Sequence, residues 1–197
     1  MEVNAMQKIK SVIIGICVLL GFLCVFTLFI PRHVTVTRGI VIGVRRDSLQ
    51  AFLEDFREWP RWCSWMGADS AVTRTFASAT ANREATVTWY PKGHPENKIF
   101  ISILQTNPGD LRLFYQFKNL LPASGGFILT PKRENGRDST FVQWSLEIRL
   151  RWYPWEKLSG IAMDKVWGSS MRESLDRLKS RVYGEALPVS PDDDQTK

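Results

Sequence analysis

The feature that most constrains the fold of this chain is a succession of short segments in which apolar and polar residues alternate. A period of two places apolar side chains on one face of a β-strand. Short turns rich in Gly, Pro, Asn and Asp separate most segments, and such turns join antiparallel neighbours. Strands are predicted at Val34–Ile42, Val72–Ala77, Glu84–Tyr90, Lys98–Thr106, Asp110–Lys118, Gly126–Arg133 and Ser139–Arg151. We therefore expect an antiparallel sheet of about seven strands.

Helical patterns lie on either side of the later strands. Asp47–Phe56 places its apolar residues on one helical face, and Trp59–Gly67 (WPRWCSWMG) follows with three tryptophans spaced three apart. Pro60 suits the first turn of a short helix, where its missing N–H costs nothing. A longer helix is predicted from Pro154 to Tyr183, with a bend at Gly168-Ser169-Ser170. The predicted class is α+β, with a curved sheet wrapped around the C-terminal helix and two short helices after strand 1.

The parity of each strand predicts which side chains face the helix. Turn residues at Ser124-Gly125-Gly126 are expected to separate two of the strands. The predicted concave face comprises Ile99, Ile101, Ile103, Leu111, Leu113, Tyr115, Phe117, Val142, Trp144, Leu146, Ile148 and Leu150. The opposite parity, from Gln143 to Arg151, is expected to face water.

An uncharged run of 20 residues, SVIIGICVLLGFLCVFTLFI (Ser11–Ile30), precedes the first strand. At about 1.5 Å per residue a helix of this length reaches ~30 Å, the thickness of a bilayer core. No small-x-small cleavage site follows it, which is typical of an uncleaved anchor rather than a signal peptide. The sequence thus predicts a single-pass membrane protein. Lysines before the run and arginines after it leave the membrane side of the domain undecided.

Charge and cysteine content exclude several classes of protein. The net charge is +6, and the acidic residues after Gly184 leave about +9 on the rest of the chain. The basic residues are scattered and the aromatic residues follow the apolar parity, so nucleic-acid binding is not expected. Three cysteines and two histidines, without clustered spacing, predict neither a disulfide framework nor a metal site. No cofactor or catalytic motif is found, and no cofactor is expected.

Several motifs occur in an order that resembles a known superfamily. They are VTVTRGIVI, LQAFLEDFREW followed by W-x-x-W-x-x-W, GGFILTP, STFVQWSLE and MDKVWGSSMRESLDRLK. Together, from Ile9 to Arg181, they resemble the START-like or helix-grip (SRPBCC) superfamily. The resemblance is to its membrane-anchored, polyketide cyclase/dehydrase-like members. The family's Asn/Ala-Pro after the first strand is replaced here by Gly43-Val44-Arg45.

The resemblance implies a cavity between the sheet and the C-terminal helix that accepts hydrophobic molecules. Within that frame, aromatic residues on the concave face, Met163 and Trp167 on the long helix, and Arg38 on the first strand are candidates for its lining. Arg38 is expected either to reach the rim or to orient the acidic end of a ligand. The predicted ligand-binding residues are Arg38, Trp65, Trp89, Tyr115, Phe117, Trp144, Met163 and Trp167. The tryptophan triplet alternatively plugs one end of the core.

Three functions remain open from the sequence. The leading hypothesis is a membrane-anchored module that binds a hydrophobic small molecule or lipid. The second is a polyketide cyclase/dehydratase-like enzyme, for which Arg38, Tyr115 and Gln116 are weak candidates. The third is a filled-core interaction module for an unidentified membrane protein. The resemblance carries no fixed catalytic residues, so the balance is against an enzyme.

The domain boundaries follow from these assignments. Residues 1–8 are expected to form a tail, 9–31 the anchor, 32–183 the START-like domain, and 184–197 a disordered acidic tail.

Overall fold

A computed structural model of the protein describes residues 2–28, 31–66, 72–77, 85–118, 121–134, 136–151 and 153–184. Within these ranges the strands are β1 (His33–Ile42), β2 (Val72–Ala77), β3 (Thr86–Pro91), β4 (Ile99–Asn107), β5 (Asp110–Gln116), β6 (Ala123–Glu134) and β7 (Arg137–Arg149). The helices are α1 (Glu2–Leu28), α2 (Arg46–Glu54), α3 (Trp59–Trp62) and α4 (Pro154–Gly184). Single 3₁₀ turns occupy Ser64–Met66 and Pro95–Asn97.

All seven strands form one antiparallel sheet in the order β1-β7-β6-β5-β4-β3-β2. The predicted sheet is thus confirmed, as are the two short helices after β1. The first strand pairs with the last along its whole length, from His33 opposite Arg149 to Ile42 opposite Thr140. This long-range pairing fixes which residues of β1 face α4.

Strand β6 differs from its predicted bounds. It begins at Ala123, and the expected turn Ser124-Gly125-Gly126 lies within the strand, paired with both β5 and β7. A side chain at Gly125 would strike the Ser145 carbonyl, and one at Gly126 would strike the Leu111 carbonyl. Gly126 also has a φ of 152°. The two glycines are therefore needed for close backbone approach, and the turn prediction is wrong.

The concave face carries the core in the predicted parity. Its side chains from β4, β5 and β7 are buried, with Ile99 half-buried at the end of β4. Residues of the opposite parity on β7, such as Glu147 and Arg149, are exposed. One register shift in β4 leaves Leu104 on the outside, 57% exposed. The period-two pattern therefore located the interior correctly.

Helix α4 lies along β1 and is continuous through Gly168. Gly160 lies against Leu150 and Val34 near the start of the helix. At its other end the hydroxyl of Tyr183 accepts a hydrogen bond of 2.8 Å from the Gly43 backbone N–H. The predicted long C-terminal helix is confirmed, and its two ends are fixed to opposite ends of β1.

Helix α2 is attached to the turn between β4 and β5 through one side chain. Gln50 donates to the Asn107 carbonyl over 2.9 Å and accepts from the Gly109 N–H over 2.8 Å. Gly109 has a φ of 84°, a conformation that favours glycine. The predicted turn chemistry thus also positions the helix that leads into the tryptophan segment.

The N-terminal region differs from the prediction. Helix α1 begins at Glu2 rather than at Ser11 and ends at Leu28, and residues 29–30 lie outside the described part of the chain. Among the residues that the structure describes, no helix combines the length and the apolar character needed to cross a bilayer. The predicted single-pass localisation is therefore wrong, and the predicted partnership with the membrane through this helix is not supported.

Candidate functional site

The tryptophan segment is fixed to α4 by hydroxyl groups. The Ser64 N–H donates to Ser174 Oγ over 2.9 Å, and Ser64 Oγ donates to the Ser170 carbonyl over 3.1 Å. Ser174 is fully buried and donates in turn to the Ser170 carbonyl. This network holds the turn after α3 against the middle of α4, so Trp65 enters the space beneath that helix.

The first two tryptophans of the segment are core residues. Trp59 and Trp62 are fully buried, with ring centroids 4.9 Å apart. Both contact Phe127 and Trp144 at centroid distances between 6.0 and 6.4 Å. The Trp59 indole N–H donates to the Leu53 carbonyl over 2.9 Å. These two rings therefore fill one end of the space beneath α4, as the plug interpretation predicts.

Trp65 lies at the centre of a second group of rings, which we call the aromatic cluster: Trp65, Tyr115, Phe117, Trp144 and Trp167. Its ring centroid is 4.9 Å from that of Trp144, 5.1 Å from Trp167, 6.3 Å from Phe117 and 6.4 Å from Tyr115. Phe117 and Trp167 are 4.8 Å apart. The structure thus brings five of the eight predicted ligand-binding residues into direct contact.

The other apolar members of the predicted site border the cluster. Trp89 is buried and donates its indole N–H to the Trp65 carbonyl over 3.1 Å. Met163 packs against the core from one turn before Trp167 on α4. Trp65, Met163 and Trp167 are half-buried, in contrast to Tyr115 and Trp144 at 0% exposure. The partly exposed side chains lie on α4 and the segment before β2, so they mark the open side of the cluster.

Arg38 lies opposite Trp144 in the β1–β7 register and faces α4. Its guanidinium contacts both carboxylate oxygens of Asp164 at 3.1 Å, and it donates to the Thr37 carbonyl over 2.7 Å. A side chain at Gly168 would strike this guanidinium. The glycine therefore makes room for an ion pair between sheet and helix, and the charge of Arg38 is already neutralised.

Two ionisable side chains of the interior, Tyr115 and Cys63, are neutral at ordinary pH. The Tyr115 hydroxyl accepts from the Trp144 indole N–H over 3.2 Å, and burial raises the pKa of Tyr115 well above its ordinary value. Burial likewise raises the pKa of the Cys63 thiol to about 12. A thiol in this state is not a nucleophile at neutral pH.

Two buried indole donors have no hydrogen-bond partner among the described residues. They are the Nε1 atoms of Trp62 and Trp65. Nothing in the sequence indicated that the Trp62 indole N–H would lack a partner, because this depends on the residues that surround the ring in the fold. A buried donor left unpaired typically costs 1–3 kcal/mol, so each such group calls for an explanation.

The open grooves lined by described residues lie on the outer surface. One of about 760 Å³ runs along α4 and includes Arg61 and Arg177. Another of about 360 Å³ lies between α2 and the β4–β5 turn, and a third of about 300 Å³ covers the convex face at Gly125 and Gly126. Within the described part of the chain no cluster of His, Cys, Asp and Glu could hold a metal ion.

Comparison with known proteins places this arrangement among START-like folds. A START superfamily protein from Mycobacterium smegmatis superimposes with a TM-score of 0.56 at 13% identity, covering 77% of this chain and 98% of that one. Truncated norcoclaurine synthase from Thalictrum flavum gives a TM-score of 0.53 at 8% identity, covering 76% and 93%. At such identities the likeness shows the fold alone.

A third solved structure belongs to the polyketide cyclase group. The di-domain ARO/CYC protein StfQ of the steffimycin biosynthetic pathway gives a TM-score of 0.56 at 11% identity, covering 78% of this chain. This chain spans about half of that protein, 52% of its length. No family model matches the sequence, and no curated protein matches it. The chain therefore has the START-like helix-grip fold, with START superfamily and polyketide cyclase-like proteins as its structural neighbours.

Proposed function

We propose that the protein binds a hydrophobic small molecule or lipid at the aromatic cluster, beneath α4. The observation that carries this proposal is the unpaired, buried indole N–H of Trp65 among aromatic rings, where a hydrogen bond between side chains joins Trp144 to Tyr115. A ligand seated there would bury its apolar body against the rings and accept that hydrogen bond. The START-like fold supports the proposal, since its solved members include proteins named for cyclase chemistry.

The eight predicted site residues are assigned different roles in this proposal. Trp65, Met163 and Trp167 border the entrance, because they retain partial exposure. Tyr115, Phe117 and Trp144 form the buried wall, and Trp89 supports the backbone of Trp65. Arg38 bonds to α4 instead of presenting a free cation. Entry requires movement of the Trp65 and Trp167 rings, which are in contact.

A matched pair of substitutions on α4 tests the site. Met163→Trp replaces a flexible thioether at the entrance by a bulky indole ring. Val166→Trp adds the same ring at a position where the native side chain is 62% exposed. With full-length protein we expect the apolar dye Nile red to bind at micromolar concentration. Met163→Trp should weaken binding about tenfold or more, and Val166→Trp should leave it unchanged. Equal effects of both substitutions would contradict the proposed location.

A packed interaction module is the second candidate, favoured by the ring contacts that fill the interior. Absence of Nile red binding, together with native mass spectra free of any co-purifying apolar molecule, would replace the ligand proposal with this one. Turnover is less well supported than binding. Tyr115 retains its proton, and Gln116, on the opposite parity, donates to the Phe117 carbonyl. Neither residue is placed as a base at the cluster.

A further inference from the structure

We propose that the aromatic cluster selects a neutral ligand with a hydrogen-bond acceptor, such as a ketone or an ester, and rejects carboxylates. This inference rests on the proposed function, since it specifies the chemistry of the ligand at the same site. Two independent features carry it. One is the surplus of donors over acceptors around Trp65, and the other is the ion pair that occupies Arg38.

The donors around Trp65 have no acceptor to pair with. The indole N–H of Trp65 is buried and unpartnered among the described residues. The Tyr115 hydroxyl accepts from Trp144, and within the described part of the chain its own proton has no acceptor. The carbonyl of Trp65 is already bonded to the Trp89 N–H. The cluster therefore has hydrogen-bond donors without acceptors, and a ligand that pairs with them must carry an acceptor such as a carbonyl oxygen.

An anionic ligand would lack a counter-charge at this site. Arg38 is a cation that lies directly opposite Trp144 in the sheet register. Its guanidinium bonds to both carboxylate oxygens of Asp164, and its side chain is 23% exposed. A carboxylate entering beneath α4 would meet a guanidinium already paired with Asp164, so it would lose its hydration without gaining a counter-charge. Asp164 thus acts as a filter against acids.

Three probes of equal chain length separate these statements: 2-tridecanone, n-tridecane and tridecanoate, each displacing Nile red from the full-length protein. We expect the ketone to bind about 2- to 10-fold more tightly than the alkane, the range of one net hydrogen bond. The carboxylate should bind at least about tenfold more weakly than the ketone. Equal binding of ketone and alkane, or preference for the carboxylate, overturns the inference. Failure of all three probes and of the dye overturns the proposed function instead.

Substitutions then assign the two roles. Replacing Trp65 by benzothienylalanine exchanges the indole N–H for sulfur and preserves the ring shape, so the preference for ketone over alkane should disappear. The same replacement at Trp155, which is 69% exposed, is the control. Asp164→Asn should free Arg38 and tighten tridecanoate binding about tenfold, whereas Asp176→Asn, at an exposed position on the same helix, should not. The proposal is contradicted if the Trp65 replacement keeps the preference for ketone over alkane and Asp164→Asn leaves tridecanoate binding unchanged.

Discussion

At the scale of single residues, two glycines decide how closely three strands approach. Gly125 and Gly126 lie near the start of β6, where a side chain would meet backbone carbonyls of β7 and β5. Backbone atoms cannot turn aside as the end of a flexible side chain can. The sheet therefore depends on the absence of a Cβ at these positions.

We predict that Gly126→Ala destabilises the protein by about 3 kcal/mol or more, because the substitution combines an unfavourable φ with a backbone collision. Gly136→Ala is the matched control. Its φ is 78°, but an added Cβ would have no atom within 4 Å. Conformation alone should cost about 1 kcal/mol there. Urea unfolding measures both values, and similar losses in the two variants would show that the sheet can relax around position 126.

At the scale of elements, the hydroxyl groups of Ser64 and Ser174 join the tryptophan segment to α4. Ser174 Oγ accepts from the Ser64 N–H and donates to the Ser170 carbonyl. Because Ser174 is fully buried, water cannot replace it. The packing of Trp62 and Trp65 beneath the helix therefore depends on this polar contact as well as on ring contacts.

We expect Ser174→Ala to lower the free energy of unfolding by about 1–3 kcal/mol, since it leaves the half-buried Ser64 N–H without its partner. Ser169→Ala removes an exposed hydroxyl that bonds within the helix, to the Val166 carbonyl, and should change stability by less than about 0.5 kcal/mol. Thermal and urea unfolding of the two variants provide the comparison. A silent Ser174→Ala would mean that ring packing alone holds the segment.

The strands and α3 could be predicted from the sequence because each of them has a local residue pattern of its own. Alternation located the strands and the concave face, and the spacing of Trp59, Trp62 and Pro60 located α3. It failed at Gly125-Gly126 because paired glycines usually mark a turn, and only the neighbouring strands reveal the need for close approach. The same limit applies to Gly168, which lies within a continuous helix and makes room for the Arg38 guanidinium.

The sequence predicted which residues form the candidate site, but not which hydrogen bonds and ion pairs they make. Large aromatic residues on the concave parity, in the tryptophan segment and on the long helix were identifiable, and five of them do meet. The partner of Arg38 is Asp164, 126 residues away, and no local signal connects the two. Which indole N–H lacks a partner likewise depends on every ring around it. Contacts between distant segments therefore determine which polar groups at the cluster are paired, while local periodicity determines only which face of a strand is buried.

At the scale of the whole molecule, burial of neutral acids makes the fold sensitive to alkali. Burial raises the pKa values of Cys63 and Tyr115 above their ordinary values of 9.0 and 10.0. Each keeps its proton longer in the folded protein than in the unfolded chain. Their contribution to stability is therefore fully present below about pH 9 and is lost as pH rises above it.

We predict that the free energy of unfolding is nearly constant from pH 7 to 8.5 and falls between pH 9 and 12. Each group contributes a slope of at most about 1.4 kcal/mol per pH unit. Cys63→Ala removes one of the two groups, so its stability should decline less steeply than that of the wild type, whatever its stability at neutral pH. Urea unfolding at fixed pH values measures the slopes. Parallel curves for the two proteins would contradict the assignment to Cys63.

The pairing of the first strand with the last also has a consequence for synthesis. From Ile42 to its partner Thr140 the ribosome must add about a hundred residues, which takes ~5–20 s at typical rates of elongation. During that interval the backbone N–H and C=O groups of β1 have no β7 strand to pair with, and its apolar side chains, including Val36 and Ile40, lack their β7 neighbours. The nascent chain therefore exposes an unpaired strand for seconds. Such a strand can pair with other chains and aggregate unless it is covered until β7 has been synthesised.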